Sequence, residues 1–179
     1  MELVDNGTSA RQEAETRWGG PTFEAGQVEN ITASLMANWC TRAGLVVTDS
    51  SNHAAGFHAI VADPQPAWTL PVMVKSAPRD TIRVVRDQLD FTGVFVFVLL
   101  GQPDGGPAPR ERTSMIVLDP ASAWQLPIDE QEAHLDAAPA RVWPLTPELA
   151  TLLAPDTATT PEELHAVFAR HGWRRPATD

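Results

Sequence analysis

The chain has 179 residues, with 13 basic and 23 acidic side chains and a formal charge of −10. That length suits one domain with a real hydrophobic core. The acidic balance argues against a whole-surface grip on nucleic acid, which needs many cations to displace counterions. A lone cysteine, Cys40, excludes a disulfide framework and a cysteine-based metal site.

Residues 1–22 lack hydrophobic periodicity and carry Gly-Gly-Pro at 19–21, so a flexible tail is expected there, with a single α/β domain over 23–179. The N-terminus has no apolar signal-type core, and no run approaches a membrane span. A cytoplasmic protein without membrane contact is expected. One lysine stands among twelve arginines, and this bias, with abundant Ala, Pro and Trp, points to a high-GC bacterial genome.

In "GQVENITASLMANWCTRAG" Val28, Ile31, Leu35, Trp39 and Ala43 recur at helical spacing, with Met36 and Cys40 widening the stripe. Gly44 is placed to cap that helix. "LVVTDS", "AGFHAIVADP" and "LPVMVKSA" then read as strands. "PRDTIRVVRDQLD" returns to helical spacing at Ile82, Val85 and Leu89. "GVFVFVLLG" is apolar on both faces and is expected at the centre of a covered sheet. "QPDGGPAPRER" is a loop, and "TSMIVLDP" is a strand that "SAWQLP" extends or repeats. In "TTPEELHAVFARHGW" Thr160 is the cap, Pro161 the first helical residue, Glu163 the capping-box acid and Gly172 the stop. The fold class expected is α/β, with one mixed central sheet flanked by helices.

The single lysine, Lys75, falls inside the strand "VMVKS". With the order α-β-β-β-α-β, with Gly26, Glu29 and Gly44 on the first helix and turn, and with the approach "SSNHAAGFHAIVAD", the chain resembles the restriction-endonuclease-like superfamily, in its Holliday-junction-resolvase-like and Mrr-like branches. That resemblance implies an αβββαβ core with extra C-terminal helices. It also implies a site in which two carboxylates hold a hard divalent cation beside a lysine. The pattern departs where the carboxylates belong: His58 stands at the aspartate position and Met73 two before the lysine. A thioether is a poor magnesium ligand. The resemblance therefore implies a degenerate, catalytically inactive nuclease fold without a cofactor. It would act by binding a protein partner or nucleic acid in a defence, immunity or nucleic-acid-processing setting. Two alternatives stay open. One is a live Mg- or Mn-dependent nuclease using Glu29, Asp63 and Lys75, which needs a bulge to turn Asp63 to the required face. The other is an unrelated α/β interaction module.

Arg79, Arg83 and Arg86 follow the lysine at i, i+4 and i+7, one basic stripe on the expected helix. A solvated helix face is the plain explanation; a contact edge for phosphate or for an acidic partner is the functional one. His53/His58 and His165/His171 are spaced wrongly for shared metal ligation. No nucleophile elbow, P-loop or dinucleotide fingerprint occurs.

Overall fold

In the computed structural model residues 25–49, 59–65, 68–77, 80–100, 113–127 and 139–174 are described. Helix α1 spans Ala25–Arg42, and strands β1 (Val46–Asp49), β2 (Ala59–Asp63) and β3 (Trp68–Ser76) follow it. Next come β4 (Thr81–Val85), a 3-10 turn (Arg86–Gln88), β5 (Val94–Leu99) and β6 (Ser114–Leu118). The chain continues through α2 (Pro120–Trp124), β7 (Ala140–Pro144), α3 (Pro147–Leu153) and a second 3-10 turn (Ala154–Asp156). It closes with β8 (Thr157–Ala158), α4 (Pro161–His171) and β9 (Trp173–Arg174).

The sheet is mixed and seven-stranded, in the order β1-β2-β3-β5-β6-β8, with β9 pairing β3. Among the described strands only β3 and β5 run parallel; the other pairs are antiparallel. The fold class is α/β, as the periodicity predicts. Every residue of β5 is buried, because its two faces meet two different cores. Val94, Val96 and Val98 pack with Met36, Trp39 and Cys40 of α1 and with Leu164, Val167 and Phe168 of α4. Phe95, Phe97 and Leu99 pack with Ile82, Val84 and Trp143 of a separate β4–β7 ribbon and with Ala123, Leu149 and Leu153 of α2 and α3. Small valines meet large helix side chains, and large phenylalanines meet a β-branched ribbon, so the volumes on each side complement one another.

One proline and one glycine show how closely the strands approach. Pro71 lies inside β3, where a missing N–H normally breaks a ladder. Its carbonyl oxygen faces Gly93, where an added Cβ would come within 2.3 Å of it. That side of β3 falls in the gap between β9, which pairs through Thr69, and β5, which pairs from Val72. No ladder bond is lost there.

Two elements differ from the expectation. The segment expected as a helix over "PRDTIRVVRDQLD" is a strand followed by a 3-10 turn. Ile82 and Val84 are fully buried with Arg83 exposed between them, a period of two, and β-branched residues favour the extended chain. Asp80, just before the strand, takes the left-handed conformation at φ 50°. "SAWQLP" lies partly in α2. Asp119 caps that helix, accepting from the Ser122 N–H at 2.9 Å, and Pro120 sits in its first turn. The same grammar recurs at Thr146-Pro147 and Thr160-Pro161.

Candidate functional site

Strand alternation decides which side chains meet. On β3, Val72 and Val74 belong to the helix-covered face, so Met73 and Lys75 point to the ribbon-covered face. Met73 is buried among the phenylalanines, in register with Phe95. Lys75, in register with Phe97, sits at the C-terminal end of the strand. Its Nζ donates to Oε1 of Gln88 on the 3-10 turn and stands 4.8 Å from the centre of the Phe95 ring. Burial, helped by the nearby charge of Arg83, pulls the Lys75 pKa down to about 8.

Asp63 ends β2 on the other face. Ala59 and Val61 set the alternation, and β2 pairs with β3 residue for residue, without a bulge. The Asp63 carboxylate is buried and accepts from the Gln65 N–H at 2.7 Å. His165 of α4 meets its second oxygen at 2.7 Å through Nε2 and stacks on Trp68 with ring centroids 6.3 Å apart. Burial raises this carboxyl's pKa. The Gln65 and His165 hydrogen bonds outweigh that and hold it below its ordinary value. Asp63 is thus a clasp between sheet and helix.

Asp63 pairs with Trp68, and Lys75 lies seven residues further along β3. At about 3.3 Å per residue that is roughly 23 Å, on the opposite face. Asp63 and Lys75 are therefore not brought together. Glu29 belongs to α1, which packs on the Asp63 face; its side chain lies outside the described part, as do His58 and Arg79. Among the described residues no three His, Cys, Asp or Glu side chains are grouped to hold a metal.

No family model, curated protein or solved structure matches the chain.

The arginines rearrange with the backbone. Arg83 projects from the exposed face of β4. Arg86 opens the 3-10 turn, with its guanidinium 5.1 Å from the centre of the Trp124 ring. Arg141, opposite Val84 on β7, lies 4.3 Å from the same ring and donates from Nη1 to the Trp124 carbonyl at 2.9 Å. Trp124 and Arg141 escape a sequence reading because they come from segments far from Lys75 in the chain. The β4–β7 register is what joins them, and "ARVWP" is too short and mixed to announce a strand. Arg86 and Arg141 thus meet at Trp124, whereas Arg83, opposite Val142, projects from the outer face of the ribbon, and Asp80, Asp87 and Asp90 lie on the same connection. Open grooves lie elsewhere. One of about 640 Å³ runs along α1 past Ile31, Leu35, Asn38, Trp39 and Arg42. Another of about 410 Å³ lies beside β6 and β8. Among the described helices none is long and apolar enough to cross a membrane.

Proposed function

We propose that the protein works by binding, and that its contact surface centres on Arg86 and Arg141 at Trp124, with Arg83 on the outer face of the same ribbon. The reading rests on one observation above all: two guanidiniums on a single indole, Trp124. Stacking fixes a guanidinium's plane while its in-plane N–H donors keep their fork geometry. A fixed fork loses less entropy when it meets a carboxylate or phosphate.

The partner we infer is an anionic segment of another protein, met in a cytoplasmic setting. A chain of charge −10 repels a long polyphosphate at a distance. A short acidic segment samples mainly the local flank. The separation of Asp63 from Lys75 argues against metal-dependent cleavage through Glu29, Asp63 and Lys75. The resemblance to the nuclease superfamily extends to the lysine strand but not to the full element order, since β4 and a 3-10 turn stand where that order needs a helix.

Fluorescence anisotropy with a labelled Glu/Asp-rich peptide and with single-stranded DNA of equal length tests this reading. The peptide is expected to bind at low salt and to weaken about tenfold in the Arg83→Gln/Arg86→Gln double variant. Tighter binding of the DNA, with the same arginine dependence, would move the assignment to nucleic acid. Cleavage of linear or branched DNA with Mg²⁺ or Mn²⁺, abolished by Lys75→Ala and Asp63→Ala, would replace it with an enzyme.

A further inference from the structure

The register of the β4–β7 ribbon fixes which way its backbone groups point. At one end the Leu145 N–H donates to the Asp80 carbonyl, and at the other the Arg86 N–H donates to the Pro139 carbonyl, both at 2.8 Å. Between them Thr81 faces Pro144, Ile82 faces Trp143, Arg83 faces Val142, Val84 faces Arg141 and Val85 faces Ala140. Bonded and non-bonded pairs alternate along an antiparallel ladder. The bonded pairs are therefore those of Ile82 and Val84. Thr81, Arg83 and Val85 turn their N–H and C=O groups away from β7, to the outer edge of β4. Among the described residues no other strand pairs with β4, and nothing bonds the Arg83 and Val85 backbone on that side. α2 leaves this edge open, because Ala123 packs beneath the ribbon with Ile82 and Val84. The opposite edge, along β7, is blunted by Pro144, which has no N–H to offer.

The side chains say what a strand added there would carry. Arg83 is exposed on the outer face. In an antiparallel pair the residue opposite it shares that face, so an acid there completes a cross-strand ion pair. The neighbours of that acid turn to the other face, level with the buried Ile82 and Val84. A β-branched side chain at those positions extends the apolar row. We propose that the outer edge of β4 takes an extended segment of the partner protein as a third, antiparallel ribbon strand, acidic opposite Arg83 and β-branched at the alternate positions. The proposal rests on the anionic-partner reading and adds its binding mode: backbone hydrogen bonds hold the segment, and alternate side chains select it. Past Val85 the added strand runs toward Arg86 and Trp124, the centre of the contact surface.

The test uses the intact protein and a labelled peptide of alternating Glu and Val. Two further peptides are methylated on the backbone nitrogens of the glutamates or of the valines. Strand addition points the glutamate N–H groups at β4 and the valine N–H groups at solvent. Methylation of the glutamate nitrogens is therefore expected to weaken binding at least about tenfold, and methylation of the valine nitrogens to leave it within about twofold. Amide hydrogen exchange locates the edge. With saturating peptide the Arg83 and Val85 amides are expected to slow at least about tenfold, while those of Ile82 and Val84, already bonded to β7, stay slow throughout. Equal binding of the two methylated peptides, a larger loss from the valine set, or protection of Ala140 and Val142 in place of Arg83 and Val85 would each overturn this strand addition and leave the anionic reading standing. Failure of the unmethylated peptide and of a Glu/Asp-rich peptide alike would overturn that reading, and this proposal with it.

Discussion

At the scale of single residues, three ionisable side chains are set by what surrounds them. Cys40 is fully buried on the inner stripe of α1, its Sγ 3.3 Å from the Met36 sulfur. Burial pushes its thiol up to about 12, and the thiolate is the reactive form. Native protein is therefore expected to show no thiol toward an aromatic disulfide reagent, and one thiol after denaturation. Asp63 and Lys75 shape opposite ends of the stability–pH curve. The Asp63 pKa is lowered on folding, so its stabilisation is present above the unfolded carboxyl pKa and is lost as pH falls through the folded one. Asp63→Asn is expected to cost about 2 kcal/mol near neutrality and to flatten the acid limb of a urea-denaturation series. Lys75 falls from 10.5 to about 8 on folding, so the unfolded chain binds the extra proton between those values. Stability from this residue therefore rises with pH across that window, and Lys75→Met is expected to remove the rise.

At the scale of elements, periodicity can be tested by truncation. In β4 Ile82 and Val84 are fully buried, whereas Val85 is not. Ile82→Ala is expected to cost about 2–5 kcal/mol, and Val85→Ala under about 1 kcal/mol. Comparable losses at the two positions, measured by chemical denaturation, would restore the helical period. The expected helix fails here because Ile82, Val85 and Leu89 also fit a three-to-four spacing, while the buried Val84 between them does not. Elements with stronger signals are legible. α1 ends at Arg42 and the chain turns at Gly44, which takes the left-handed conformation at φ 79°, and the "VFVFVL" run is central. The last helix starts on Thr160 as its chemistry requires, although the Glu163 carboxylate turns to Thr159 N–H and Oγ, one residue before the cap. Gly172 is needed for a reason no cap rule supplies: a Cβ there would lie 2.6 Å from the Trp68 ring. Gly172→Ala is expected to destabilise by about 1–3 kcal/mol through that overlap.

At the scale of the whole molecule, the central sheet follows from runs of alternating and continuous apolar residues, each readable within a few positions. The candidate site does not, because it depends on long-range partners. Lys75 comes from β3, Gln88 from a turn, Arg141 from β7 and Trp124 from α2, and a second ribbon layer assembles them. This assembly gathers Arg86 and Arg141 at Trp124 on a chain whose total charge is −10, so two fields act on an acidic partner. Far from the surface the net charge repels it; within a few ångströms the arginines attract it. The Debye length shrinks from about 30 Å at 0.01 M salt to about 8 Å at 0.15 M. Added salt should therefore screen the distant repulsion before it reaches the close contacts. In stopped-flow measurements with the acidic peptide, the association rate is expected to stay level or rise across that range while dissociation accelerates. An association rate that falls severalfold instead would mean that the flank's own field reaches beyond the molecule's net charge and steers partners from a distance.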